Sequence, residues 1–193
     1  MAPATFYFDL GSPYAYLTAA RIDVVLGESV DWQPISLGAL FKLAGRSSWS
    51  LGDQRQREEG MAEVERRALA YGLPPLRWPE PWPGNYLMAM RAATYAQRMG
   101  GLREFADRAF CGGFEHGRDL SIPANVLTAA SEAGLDPREL ELAVADPEIK
   151  LALREATGEA HRLGVFGVPS VAVAGELFWG DDRLEQAAAQ LAI

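Results

Sequence analysis

One stretch limits what this chain can fold into more than any other: Phe6-Tyr-Phe-Asp-Leu-Gly-Ser-Pro-Tyr-Ala-Tyr-Leu17. Residues 5–10 form an apolar, aromatic run that predicts a buried strand. Gly11 interrupts it, Ser12 takes a helix N-cap position, and Pro13 falls at the first helical residue, where a missing N–H costs nothing. An apolar helix is then expected over 13–26. A hydroxyl is thereby placed at a helix start and at the carboxyl end of a strand. Free backbone N–H groups and the positive end of the helix dipole converge there and favour an anion. Ser12 has two readings at this point: a cap alone, or a cap that also serves a bound anion.

Residues 29–35 alternate apolar and polar side chains and predict a second strand. Strand, helix and strand within about 30 residues suit a right-handed crossover between parallel strands. Pro34 falls at the strand's end, where the lost donor matters least. A helical region opens at Leu37, and 53–71 predicts a long charged helix with Met61, Val64, Ala68 and Leu69 on one face. The stretch 72–84 holds too many prolines for a helix or a central strand. It reads as an extended connector that lays Trp78 and Trp82 on the protein, with a disordered linker as the alternative. Asn85 is expected to cap a helix to about 99, followed by helices over 102–112, from 122, over 137–145 and over 147–163. Two apolar runs, 169–173 and 176–179, joined by Ala174-Gly175, predict a hairpin, and Asp181 or Asp182 caps a final helix over 183–191.

Composition narrows the function. The 193 residues are 49% hydrophobic and 23% charged, enough for a substantial core. A net charge of -8 argues against nucleic acid and anionic membranes, so any anion site has to be local. The single cysteine, Cys111, can form neither an intramolecular disulfide nor a zinc site by itself. His116 and His161 make no metal motif, and no metal is expected. Without a secretory signal pattern or an apolar run of about 18 residues, the expected location is cytoplasmic.

A second stretch, Gly164-Val-Phe-Gly-Val-Pro-Ser170 with Phe178-Trp-Gly-Asp-Asp-Arg183, joins the first in a family resemblance. Ser-Pro-Tyr-Ala (12–15) stands where thioredoxin-like oxidoreductases carry Cys-Pro-x-Cys, and Gly-Val-Pro-Ser (167–170) is similar to their cis-proline loop. The two ends together resemble 2-hydroxychromene-2-carboxylate isomerases, in the branch related to kappa-class glutathione transferases. The resemblance implies an α/β fold in which a thioredoxin-like sheet (1–37 and 161–193) is interrupted by an all-helical insertion (38–160).

It also implies roles for particular residues. Glutathione would lie along Val168 and the cis Pro169, with its amino end at Asp181 and Asp182 and its sulfur facing Ser12. Each aspartate also reads as a plain helix cap. Tyr14, Trp82 and Phe166 would line a pocket for an aromatic acid, or serve only as core. Asn85 and Arg91 would take the substrate's carboxylate. Arg46 stands where the family carries an Asn that contacts glutathione, with Arg55 and Arg57 as substitutes for a further basic residue, so another small thiol stays open. The expected activity is thiol-dependent cis–trans isomerisation through reversible addition of a thiolate. A homodimer is expected from the family. A kappa-type transferase and a non-catalytic peptide-binding module are the alternatives. A dithiol oxidoreductase is the weakest option, because Ser12 and Ala15 occupy both cysteine places.

Overall fold

The computed structural model describes residues 4–27 and 30–191. Strand β1 (Ala4–Phe8) leads through Gly11 and Ser12 into helix α1 (Pro13–Ala19). The predicted single helix over 13–26 is two: α1 stops at the cap Ala20, and α2 (Ile22–Leu26) restarts after Arg21. No Gly or Pro marks this break. Arg21 takes non-helical angles there, with its guanidinium 3.7 Å above the Tyr71 ring. Strand β2 (Val30–Pro34) follows; Ser29, the first residue of the predicted strand, lies outside the described residues.

The middle of the chain is helical: α3 (Leu37–Ala44), a 3₁₀ turn (Trp49–Leu51), α4 (Gln54–Ala70), α5 (Leu87–Arg98), α6 (Leu102–Phe114), α7 (Pro123–Glu132), α8 (Pro137–Ala143) and α9 (Pro147–Arg162). Asp136 and Asp146 cap their helices as the Asp-Pro pairs indicate, and Asp53, expected as the first helical residue, caps α4 instead; all three carboxylates accept N–H groups of the first helical turn. On α4, Val64 and Ala68 are buried one turn apart, but Leu69, expected beside them, is 79% exposed. It lies a further 100° round the helix from Ala68 and so leaves the packed face. Residues 72–86 form the extended connector, with cis peptides at Glu80–Pro81 and Trp82–Pro83. Tyr86, not Asn85, is the N-cap residue of α5; the Asn85 Oδ1 accepts from the Leu87 N–H at 3.2 Å.

The chain returns as β3 (Ser170–Val173) and β4 (Glu176–Trp179). Ala174 and Gly175 both take positive φ, as a tight hairpin turn requires. A 3₁₀ turn (Asp181–Arg183) then precedes α10 (Leu184–Leu191). The sheet order is β2-β1-β3-β4, with β1 parallel to β2 and antiparallel to β3. Pro34 thus lies on an edge strand, where its missing donor is harmless.

Both faces of the sheet are covered, because neighbouring residues of β1 point to opposite sides. Phe6 and Phe8 join Trp32, Phe110 and the helices α1, α5 and α6 in the larger core. Tyr7 faces the other way and packs with Ile35, Leu40, Ala160 and Val165 under α3 and α9. This brings the carboxyl ends of β1 and β2 and the loop before β3 to one rim.

Candidate active site

A cleft of about 1440 Å³ opens at that rim. The start of α1 enters it with Ser12, which is only 4% exposed. The Ser12 Oγ accepts the Ala15 N–H at 3.2 Å, and its backbone N–H donates to the Asp9 carbonyl at 3.0 Å. The cap uses the oxygen as acceptor, which leaves the hydroxyl proton to donate. Gly11 lets the Tyr86 ring close over this turn: a Cβ at position 11 would overlap that ring. Tyr86 is itself fixed by accepting the Gly84 N–H at 2.9 Å.

Opposite Ser12 lies the loop before β3. The Val168–Pro169 peptide is cis. Val168 is 8% exposed, and none of the described residues hydrogen-bonds to its N–H or C=O. Sheet pairing begins only at Ser170, against Tyr7 and Trp179, and the Ser170 hydroxyl donates to the Gly167 carbonyl at 2.8 Å. An extended peptide is a partner that would satisfy both groups at once.

Aromatic rings line one side. Tyr14 meets Trp49 edge-on at 6.1 Å and Trp49 meets Trp82 at 5.4 Å; Trp82 in turn packs at 4.7 Å on Trp78, which does not line the cleft. Arg46 borders the cleft on another side, 4.9 Å from the Phe166 ring and 5.7 Å from Trp179. Asn85 also lines the cleft; since its Oδ1 serves Leu87, its NH₂ is left to donate.

The two aspartates after β4 differ sharply. Asp182 is exposed at the rim. Asp181 is 1% exposed and turned inward, onto the Arg67 Nη1 at 2.8 Å and the Tyr71 hydroxyl at 2.9 Å. Neither caps α10 with its side chain, which is where the predicted cap fails: the 3₁₀ turn intervenes, and Asp181 is drawn into an ion pair with α4. Burial holds the Asp181 carboxyl above its ordinary pKa, against the opposing pull of Tyr71 and Arg67. The Arg67 guanidinium is itself partly buried, which opposes its charge, but Glu63, Asp181 and Asp182 outweigh that and raise its pKa.

The cleft therefore gathers Ser12, Tyr14, Arg46, Trp82, Asn85, Phe166, Val168, Pro169, Asp181 and Asp182 of the residues expected there, and leaves out Arg91. Arg91 lies on α5 beyond the cleft lining, and Arg55, a suggested substitute for the family's basic residue, pairs with Glu59 on the exposed face of α4. Sequence reasoning missed Asp9, Trp49, Arg67 and Tyr86. Asp9 carried a signal, standing three residues before Ser12 inside the leading motif. Arg67 is one of many charges on α4, and nothing local distinguishes it.

A capped helix start facing a cis-proline loop, on this sheet order, decides the family, and the DSBA-like thioredoxin domain matches residues 4–192. The chain belongs to that family. Among curated relatives, a 2-hydroxychromene-2-carboxylate isomerase from Sphingobium xenophagum is 29% identical over 184 residues, covering 93% of each chain. A solved 2-hydroxychromene-2-carboxylate isomerase superposes with a TM-score of 0.83 at 22% identity, over 98% of this chain and 94% of the other. The cytosolic disulfide reductase DsbM of Pseudomonas aeruginosa, solved with GSH, has a TM-score of 0.64 at 16% identity, over 98% and 95%. These last two likenesses establish the shared fold. Among the described residues no helix is long and apolar enough to cross a membrane, and no group of three or more His, Cys, Asp or Glu is arranged to hold a metal.

Proposed function

We propose that the protein is a glutathione-dependent cis–trans isomerase of 2-hydroxychromene-2-carboxylate or a similar aromatic acid. The observation that carries this reading is Ser12: a buried hydroxyl with its proton free to donate, at a helix N-terminus, in the same cleft as the Val168–Pro169 loop. The isomerase relative at 29% identity supports the reaction class, and DsbM solved with GSH supports the thiol.

The residues present fit a γ-glutamyl tripeptide. The unpaired main chain of Val168 would take its backbone as an added strand. The exposed carboxylate of Asp182 faces the cleft for an ammonium, with Asp181 held behind it by Arg67. Arg46 offers a guanidinium for a carboxylate. When bound, glutathione supplies a thiolate that adds to the conjugated carbon, frees the adjacent bond to rotate, and leaves with no net redox change.

The chain's own part is electrostatic. The Ser12 hydroxyl donates one hydrogen bond to the sulfur, and the α1 dipole adds roughly 0.3–1 kcal/mol in favour of negative charge there. Together they lower the thiol's pKa and raise the thiolate population at neutral pH. Tyr14, Trp49 and Trp82 exclude water and present flat faces to an aromatic acid. The Asn85 NH₂ would donate to the substrate's carboxylate; it lines the cleft, which Arg91 does not.

Spectrophotometric assay of 2-hydroxychromene-2-carboxylate with and without glutathione tests this. The expected result is conversion to the trans ring-opened isomer only with the thiol, with the thiol recovered. No turnover with glutathione would reject the activity, and a product that keeps the thioether would make the protein a transferase.

A further inference from the structure

Asp9 takes no part in the chemistry described so far, yet it is buried against the cleft at 6% exposure. None of the ion pairs among the described residues includes it. Its two carboxylate oxygens are used differently. Oδ1 accepts the Gly11 N–H at 2.8 Å, inside the turn that presents Ser12. Oδ2 accepts the Leu37 N–H at 2.7 Å, at the first residue of α3. The Asp9 carbonyl accepts the Ser12 N–H at 3.0 Å, completing the turn. The side chain thus bridges the carboxyl ends of two adjacent parallel strands, at the point where each gives way to a helix.

We propose that Asp9 is a positioning residue: its carboxylate clamps the Ser12 turn to the start of α3 and so fixes where the Ser12 hydroxyl points in the cleft. The role needs a carboxylate. Two N–H donors aim at one side chain, and an amide of the same shape has only one acceptor oxygen, so its NH₂ would oppose the second donor. Keeping a charge there without a cation is costly. Burial raises the Asp9 pKa to about 6, against the opposing pull of the Leu37 and Gly11 amides. The titratable group facing it is the Tyr86 phenol, itself pushed up to about 12 by burial, with Asp119 facing the same phenol. Protonation of Asp9 puts a donor on one oxygen and breaks one half of the clamp. The assignment of a catalytic consequence rests on Ser12 serving the bound thiolate; the clamp itself does not.

The test reads backbone amides by NMR without any ligand. Three are decisive: Gly11 and Leu37, which bind Asp9, and Ala15, which donates to the Ser12 Oγ. In the wild type all three shifts are expected to move with one midpoint near pH 6. In Asp9→Asn that common titration disappears from all three. Titration of Gly11 and Leu37 with Ala15 unmoved would overturn the proposal, as would separate midpoints. Should Asp9→Asn fail to fold, the wild-type titration alone decides between the same results. On turnover, Asp9→Asn is expected to lower kcat about tenfold and to cost nothing further in a Ser12→Ala background, because coupled residues are not additive. Full additivity would overturn the link to Ser12. Absence of wild-type isomerisation alongside an intact common titration would count against the isomerase reading and leave the clamp standing.

Discussion

Arg67, in the last turn of α4, donates to the buried carboxylate of Asp181 at 2.8 Å and so ties the helical middle of the chain to the turn after β4. The same guanidinium binds Glu63 at 2.7 Å and stands 5.5 Å from the Tyr14 ring. Asp181 is nearly without solvent, whereas the Arg67 side chain is 25% exposed. Removing the arginine leaves an uncompensated buried carboxylate. For Arg67→Ala we expect a loss of about 2–3 kcal/mol, below the range for a fully buried pair because Arg67 is partly wet. Urea unfolding measures it, and Asp181→Asn should cost less, since it keeps a partner for Tyr71.

The carboxyl of Asp9 makes stability fall as pH rises. Its folded pKa of about 6 lies above its ordinary value of 3.8, so between those values the native state holds a proton that the unfolded chain has released. Stability contributed by this group is full below the lower value and is lost as pH climbs through the upper one, by a few kcal/mol. Other carboxylates titrate in the same window, so the comparison with Asp9→Asn isolates it. The stability difference between the two proteins should shift in favour of the variant from about pH 4 to about pH 7. A difference that does not change with pH contradicts the buried, unpaired state of this group.

Gly11 should tolerate no side chain. A Cβ there overlaps the Tyr86 ring, which is pinned by Gly84 and cannot swing away cheaply. Gly11→Ala is expected to cost about 1–3 kcal/mol, as overpacking does, and to lower kcat by displacing the Ser12 turn. Thermal unfolding and single-turnover rates check the two parts separately.

Arg46 lies against Phe166 and Trp179 at the cleft's rim, exposed to water. Held there, its guanidinium would meet a carboxylate of the thiol as a solvent-exposed ion pair, worth up to about 1 kcal/mol. Arg46→Ala should therefore raise the KM for the thiol by roughly two- to fivefold with kcat unchanged, because a contact to the thiol's carboxylate is made equally in the ground and transition states. Steady-state kinetics with varied glutathione measures this.

Much of this architecture was legible in the sequence because it is local. The Ser12-Pro13 start, the Asp-Pro starts of α8 and α9 and the Ala174-Gly175 turn are each set by the conformational limits of two or three residues. The break between α1 and α2 was hidden, since it depends on Arg21 meeting Tyr71 and Glu185, residues far along the chain. The inward turn of Asp181 was hidden for the same reason: its partners lie on α4. Site residues carried by the two end motifs fall in the cleft. Those placed by the middle of the chain divide, with Trp82 and Asn85 inside it and Arg91 outside. Helix periodicity shows which residues share a face, and it says nothing about which face turns toward a rim built from other elements.

The central claim is that the Ser12 hydroxyl stabilises the thiolate of a bound peptide. The pKa of glutathione in its complex with the protein, read from ultraviolet thiolate absorbance, tests it most directly in wild type and in Ser12→Ala. The expected result is a bound thiol well below its free value in the wild type. In the variant it should rise by about one unit or more, as the loss of one hydrogen bond to a charged group implies. Equal pKa values in the two complexes would contradict the account.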